Sequence, residues 1–154
     1  MIKIIGDGGH AKVVRSVICS MPIEHDAEDV AFVAVGDNAH RHSEVQRLDG
    51  YKFPVLSHPS AVVAIGVEVG GGTVIMAGVV VQPCAIIGKH CILNTGCCID
   101  HDCIIHDFSH IAPGAVLCGG VTVGEGALVG AGAVCVPGAV IPPWSLVKAG
   151  SVAK

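Results

Sequence analysis

The sequence predicts a solenoid of short parallel β-strands behind a small α/β unit, and three observations carry that prediction. First, one apolar residue recurs at every sixth position without a gap: Val63, Val69, Ile75, Val81, Ile87, Leu93, Ile99, Ile105, Ile111, Leu117, Val123, Val129, Cys135, Ile141 and Val147, all aliphatic except Cys135. Second, the position four residues after each of these is small or β-branched, from Val67 and Thr73 through Cys91, Cys97 and Cys103 to Ala139, Ser145 and Ser151. Third, residues 1–57 lack the period and begin with a strand-like run entering a Gly-rich turn. A fixed period this short marks a solenoid whose units bury their apolar side only against each other.

Six residues suffice for one short strand and a corner, and three such units close a triangular coil. The fifteen hexads over 63–152 then give about five coils, a prism about 24 Å tall at roughly 4.8 Å per coil. Strand side chains alternate, so the aliphatic and small positions point inward and the residue just before each aliphatic points outward. That outward set is itself apolar: Val74, Val80, Ile86, Ile92, Ile104, Val116, Leu128, Val134, Val140 and Leu146. Outward apolar rows call for a covering surface. A homotrimer, prism against prism, is the expected cover; the competing reading is a surface that merely favours β structure.

The N-terminal piece reads element by element. Ile2–Ile5 is a buried strand, and Gly6-Asp7-Gly8-Gly9-His10-Ala11 a turn. Lys12–Met21 is a helix with Val13, Val14, Val17 and Ile18 on its apolar side. Ala31–Val35 is a second strand ending in Gly36-Asp37-Asn38, Ala39–Leu48 a second helix, and Lys52–Leu56 a short third strand. The predicted division is 1–57 for this unit and 58–154 for the solenoid. Strand, Gly-rich turn and helix together aim backbone N–H groups and a helix N-terminus at an anion. Gly6-x-Gly8-Gly9 falls short of the full G-x-G-x-x-G pattern, so a plain tight turn is the competing reading.

Composition excludes several classes. Net charge is −4 with no basic cluster, which argues against nucleic acid. No apolar run is long enough to span a bilayer, and the chain runs from Met1 straight into the turn rather than through a secretory leader. A hydrophobic content of 51% with 3% aromatic residues suits a narrow core of Val, Ile and Ala. There are eight cysteines and no C-x-x-C pair. Cys91, Cys97 and Cys103 fill inward positions and Cys135 replaces an aliphatic, so the cysteines read as small core hydrophobes in a reducing cytoplasm.

Five segments together point to a family: Gly6-Asp7-Gly8-Gly9-His10-Ala11-Lys12-Val13-Val14, Ala34-Val35-Gly36-Asp37-Asn38-Ala39-His40-Arg41, Leu93-Asn94-Thr95-Gly96, Ile99-Asp100-His101-Asp102-Cys103 and Phe108-Ser109-His110-Ile111-Ala112-Pro113-Gly114-Ala115. They resemble the sugar O-/N-acyltransferases of the sialic-acid acetyltransferase type, within the hexapeptide-repeat superfamily. The similarity is greatest to bacterial enzymes that acetylate the 4-amino group of a UDP-4-amino-4,6-dideoxy sugar, as in bacillosamine synthesis. The resemblance implies a left-handed parallel β-helix, where the general crossover rule favours the right hand, and a small Rossmann-like N-terminal domain. It also implies acetyl-CoA as co-substrate, a nucleotide-sugar acceptor and no metal. Two departures stand out. Between the first helix and Ala31–Val35 the family carries an acidic second strand, where this chain has Pro22–Val30 with Glu24, Asp26, Glu28 and Asp29. The family's closing G-x-P-A-K tail is absent before Lys154, so no coenzyme contact is expected from it.

Acetyl transfer to a sugar amine needs a base for the amine proton, a seat for the thioester and a donor for the developing oxyanion. Imidazole titrates near neutrality, which makes His101 the expected general base; the competing reading is an idle surface histidine. Gly119 follows His101 by one coil and Pro83 precedes it by one. By resemblance, the Gly119 amide faces the acetyl carbonyl, and Asp102 raises the basicity of His101, with Asp100 the competing orienter. His110 interrupts the outward row Val74, Ile92, Leu128, Leu146. The resemblance sets it on acetyl-CoA at a subunit interface, while spacing alone equally allows a hydrogen bond to a neighbouring chain. Asn94 is a candidate sugar contact, Ala131 and Ala149 match the backbone lining the coenzyme groove, and Gly8, Gly9, His10 and Gly36 match the sugar-nucleotide turn. Asn38 and Arg41 are candidate phosphate contacts, Arg41 equally readable as a solvated helix residue. Three rival functions remain: acetylation of a sugar hydroxyl such as that of sialic acid, a γ-type carbonic anhydrase-like zinc enzyme, and a non-catalytic trimeric scaffold. His101 and His106 reproduce an H-x-x-x-x-H spacing, but the third zinc position holds Ile65, and catalytic zinc needs three protein ligands.

Overall fold

A computed structural model describes residues 2–21 and 29–154. β1 (Lys3–Ile5), α1 (Gly9–Cys19), β2 (Ala31–Val33) and α2 (Asn38–Gln46) precede a parallel solenoid running from β3 (Leu56–Ser57) to β19 (Val152–Ala153). Each solenoid strand is two residues long, and the strands stack into three sheets of six, five and six. The register follows the repeat: Cys98 pairs with Val80 below and Val116 above. The solenoid outruns the predicted hexads by one at each end. Leu56–Ser57 pair with Val74–Ile75, and Val152–Ala153 with Val134–Cys135.

That pairing corrects the predicted third strand of the N-terminal unit. Leu56 opens the solenoid, and Lys52 makes only an isolated bridge to Val30. The N-terminal sheet is therefore β1 against β2 alone, with Lys3 opposite Ala31 and Ile5 opposite Val33. The acidic residues Glu24, Asp26 and Glu28 lie outside the described residues. Helix α1 also begins earlier than predicted, at Gly9, so Gly9, His10 and Ala11 form its first turn rather than a loop.

The prism has three faces. The first carries outward Leu56, Val74, Ile92, His110, Leu128 and Leu146. The second carries Val62, Val80, Cys98, Val116, Val134 and Val152, and the third Glu68, Ile86, Ile104, Thr122 and Val140. Inward positions such as Leu93, Leu117, Val123, Cys97 and Ala115 are buried. Between faces the chain turns through a left-handed residue. Every sixth residue from Gly66 to Gly150 has positive φ, and five of these are not glycine: Cys84, His90, Asp102, Phe108 and Trp144. A side chain in that conformation costs roughly 1–2 kcal/mol, so each non-glycine corner calls for an explanation.

The N-terminal unit sits on the first face. Ala11, Val14, Val17, Phe32 and Ala34 join one core with Leu56, Val74 and Ile92. The expectation that a partner covers every outward row is corrected here, because the chain's own helices cover the lower half of this one. The other two faces remain open, with Val62, Ile86, Ile104 and Val140 exposed.

Arg41 fastens the two parts. It was read as a phosphate contact or a solvated residue, yet it is only 1% exposed. Its Nε donates to His90 O at 2.8 Å and its Nη2 to Phe108 O at 2.7 Å and Asn38 Oδ1 at 2.8 Å. Its Nη1 donates to Val35 O at 3.0 Å and Gly36 O at 3.3 Å. Asn38, the other candidate phosphate contact, donates to Gly126 O at 2.9 Å and Ala127 O at 3.3 Å. Both side chains are thus spent on solenoid carbonyls at one corner, on three successive coils. Burial pulls the guanidinium down to about 10, which leaves it charged at neutral pH. The His90 ring stacks on Phe108 with centroids 5.1 Å apart and meets the edge of Phe53 at 4.7 Å. Replacing Arg41 by Met strands buried carbonyls without donors. Arg41→Met should lower the unfolding free energy in urea by on the order of 3 kcal/mol.

Candidate active site

Two clusters carry the predicted site residues. The first lies at the corner between the second and third faces, just after β10 (Cys98–Ile99). Asp100 Oδ1 accepts the His101 backbone N–H at 2.8 Å, which sets the turn. Asp102 is one of the left-handed corner residues, and that conformation brings its Oδ2 to 2.7 Å from His101 Nδ1. An ionised Asp102 accepts from Nδ1–H, so Nε2 keeps its lone pair. The pair orients the ring, and Asp100 fixes the backbone; the two acidic neighbours thus divide the work the sequence left open between them. The hydrogen bond His101 donates to Asp102, and then the charge of Asp100, raise the His101 pKa above that of ordinary imidazole. The His101 side chain is 61% exposed.

Gly119 stands one coil above. A Cβ there would lie 2.7 Å from His101 Cε1 and Nε2, so the ring occupies space that only glycine leaves free. Gly119 O accepts from Gly138 N at 3.0 Å, and His101 O from Gly120 N at 2.9 Å. Among the described residues no acceptor takes the Gly119 N–H, which leaves a donor beside Nε2.

The second cluster lies where the N-terminal turn meets the first face. Gly8 caps α1 without a side-chain bond, so the first-turn N–H groups at exposed Gly8 and Gly9 stay open. Gly6 allows β1 and β2 to close, since a Cβ there would meet Ala34 O at 2.7 Å. A cavity of about 350 Å³ is lined by Gly6, Gly8, Gly9, His10, Gly36 and His40 among others. Beside it, Asn94 Nδ2 lies 3.0 Å from His110 Nε2. Burial first, then Arg41 and His10, push the His110 pKa down to about 4 against the opposing Gly36 backbone. Burial and then Arg41 bring His10 to about 4 as well. Its Nε2 is buried without a partner among the described residues.

Several placements correct the expectations. His110 was expected to face a neighbouring chain, but it meets this chain's own turn because α1 and β2 cover that stretch of the first face. Asn94, the candidate sugar contact, follows β9 at the end of the first face, where it pairs with His110. That pairing was readable in principle: the coil register sets His110 opposite Ile92, hence diagonal to Asn94. Ala131 and Ala149 are exposed at the corner between the first and second faces, in one column, with Gly150 N donating to Ala131 O at 2.9 Å. The cysteine reading holds for Cys91, Cys97, Cys103 and Cys135, which are buried. It fails for Cys19, Cys84 and Cys98, which are exposed, and for half-buried Cys118.

The two clusters do not meet within one chain. The His101 corner is the vertex opposite the first face, which carries the N-terminal turn. Among the described residues no group of three or more His, Cys, Asp or Glu side chains is arranged to hold a metal, and Ile65 is fully exposed. No described helix is long and apolar enough to cross a membrane.

Comparison with known proteins agrees with this geometry. Residues 102–137 match the bacterial transferase hexapeptide (six repeats) family. A UDP-N-acetylbacillosamine N-acetyltransferase of Bacillus subtilis (strain 168) is 39% identical over 49% of this chain and 51% of its own length, so the chain matches about half of that relative. A His-to-Asn mutant of the perosamine N-acetyltransferase of Caulobacter crescentus, solved with CoA and GDP-perosamine, superposes with a TM-score of 0.93 at 33% identity, covering 99% of this chain and 88% of that one. The acetyltransferase domain of PglB from Neisseria gonorrhoeae, in complex with acetyl coenzyme A, gives a TM-score of 0.88 at 30% identity over 97% and 88% of the two chains. With a third of its residues shared over nearly its whole length with such a relative, the chain belongs to the bacterial hexapeptide transferases, among the sugar N-acetyltransferases these relatives represent.

Proposed function

We propose that this protein is an acetyl-CoA-dependent N-acetyltransferase acting on the amino group of a nucleotide-linked amino sugar, with His101 as general base. The observation that carries this reading is the His101–Asp102 pair at 2.7 Å, with Nε2 free beneath a side-chain-less Gly119. The relatives' names supply the substrate class: one is named for a UDP-linked sugar, another was solved with a GDP-linked one. The left hand of the coil, a Rossmann-like cast of the N-terminal unit and a cytoplasmic location belong to the same reading.

The chemistry follows from the residues. Nε2 takes the proton as the sugar amine attacks the thioester carbonyl, and Asp102 stabilises the imidazolium that forms. The tetrahedral intermediate then collapses with cleavage of the C–S bond, and coenzyme A leaves as the thiol after its sulfur receives that proton from the imidazolium. The Gly119 N–H is the donor offered to the developing oxyanion. The open N–H groups of α1 suit the diphosphate of the acceptor. His10 and His110, neutral at pH 7, present ring nitrogens as hydrogen-bonding groups rather than as charges. Ala131 and Ala149 offer small, exposed positions along which a pantetheine arm can lie against backbone, with His110 and Asn94 nearby.

A homotrimer with sites between subunits completes the reading. A sugar held at the turn of one chain sits on the face opposite that chain's own His101, so the base must come from a second copy. The second face suits the contact: Val80, Cys98, Val116 and Cys118 line an open groove of about 250 Å³ there.

Three outcomes test this. His101→Ala should lose on the order of 10²–10⁴-fold in acetyl transfer to UDP- or GDP-linked 4-amino-4,6-dideoxy sugars with the oligomer intact; near-normal turnover would remove it as the base. In Asp102→Asn the largest cause of the raised His101 pKa is gone. Since the base must be unprotonated, the acid limb of the kcat/KM profile should move to lower pH while the plateau falls; an unmoved limb would assign the ionisation to another group. Val116→Asp should leave a single-chain mass by light scattering and abolish transfer together. A monomeric variant with full activity would exclude a shared site.

A further inference from the structure

The exposed carboxylate of Asp100 brings a charge that the fold does not require. Its Oδ1 accepts the His101 backbone N–H at 2.8 Å, the bond that sets the turn. One hexad earlier the same position holds Asn94, whose Oδ1 accepts the Thr95 N–H at the same 2.8 Å. An uncharged amide therefore closes the same turn, as Asx side chains do generally. From Ala64 to Lys148, Asp100 is the only carboxylate in this hexad phase; the others include Met76, Gln82, His106, Cys118 and Val136. Backbone geometry thus accounts for an oxygen at position 100 and not for its charge.

Three features define what that charge meets. Asp102 already holds His101 Nδ1 at 2.7 Å, so the ring needs no second acid to orient it. Asp100 Oδ2 takes no bond among the described residues, and no described lysine or arginine pairs with it. The residues one coil below and above are Gln82 and Cys118, and with Asp100 they line the second-face groove where it reaches this corner. A free carboxylate oxygen therefore stands at the corner where Nε2 and the Gly119 N–H are also open. A ligand that presents a cation to these groups would complete the set. At neutral pH an alkyl amine is such a cation, an ammonium ion; a hydroxyl is not.

We infer that Asp100 is a specificity-determining residue: its free carboxylate oxygen receives the acceptor as an ammonium ion beside His101 and so selects an amine over a hydroxyl. The inference rests on the proposed transfer and names the group that separates N- from O-acetylation. Before attack the ammonium gives one proton to water. The neutral amine then attacks with Nε2 as base, and its second proton leaves on the coenzyme A thiol. Each acetyl group transferred from acetyl-CoA to the ammonium therefore yields one amide, one thiol and one free proton.

Binding measured without acetyl-CoA isolates this contact. Titration calorimetry of the full-length protein at pH 7 compares two ligands: a UDP- or GDP-linked 4-amino-4,6-dideoxy sugar, and the same compound with a 4-hydroxyl. The wild type should bind the amine on the order of tenfold more tightly, the size of a hydrogen bond to a charged group. Asp100→Asn keeps the turn in the manner of Asn94 and should bring the two affinities together by weakening the amine alone. Asp100→Glu should recover part of the preference. Loss of the charge at position 100 also loosens the proton on His101. Less imidazolium then remains to repel an ammonium, so this side effect opposes the predicted loss and cannot imitate it. Equal affinities in the wild type, an amine preference retained in Asp100→Asn, or an equal loss of both ligands in that variant would each overturn the inference; the last would make Asp100 a turn residue only. Amine-selective binding with no acetyl transfer would fail the proposed function alone, and transfer without amine-selective binding would fail this inference alone.

Discussion

The structure depends on one backbone constraint: the chain must turn through a left-handed residue every six positions so that each strand lands on the one a coil below. From Gly66 to Gly150 that conformation never lapses. Pairing between coils is therefore in strict register, and the narrow core closes with one aliphatic and one small residue per hexad. An insertion of one residue would rotate everything after it onto a different face. The same constraint places the chemistry. Asp102 reaches His101 Nδ1 because it occupies a corner, and His101 has room because the position a coil above it is Gly119.

The second controlling feature is the buried charge of Arg41. It ties α2 to the corner carbonyls of His90 and Phe108 while holding the carbonyls of Val35 and Gly36. The turn that lines the cavity at α1 is therefore positioned from the solenoid, not only from its own small sheet. The charge also acts at a distance: burial lowers the pKa of His10, His90 and His110 most, and Arg41 lowers each of them further. The cleft beside the turn consequently holds the neutral imidazoles of His10 and His110, and what it would offer the proposed diphosphate is the uncapped N–H groups at α1.

The solenoid was legible because its period is short and its corners repeat, so every inward and outward position from Val63 to Val147 could be assigned by counting. His101, Asp102 and Gly119 were legible by the same counting, since they share one corner on adjacent coils. What failed was whatever depended on the N-terminal unit's docking. Arg41 and Asn38 look like surface polar residues of a short helix, and no local pattern signals that they bond carbonyls some 50 to 90 positions away. His110 looked like a group awaiting a neighbouring chain because the row it interrupts is apolar, yet the covering surface came from the same chain. Exposed Cys98 and Cys84 escaped for a simpler reason: the inward register explains four of the cysteines and was extended to all eight.

The separation of the two clusters has a consequence for the base itself. In one chain His101 is largely solvated, and its acidic neighbours hold the proton on it more tightly than on free imidazole. A general base works best with a pKa near the operating pH. On the proposed trimer a second chain closes over this corner, and burial disfavours the imidazolium. That desolvation opposes the pull of Asp102 and Asp100 and brings the ring back toward neutrality. Assembly would then do more than deliver the sugar to the histidine. It would also set the histidine's affinity for the proton, so that the base becomes effective in the place where the substrate arrives.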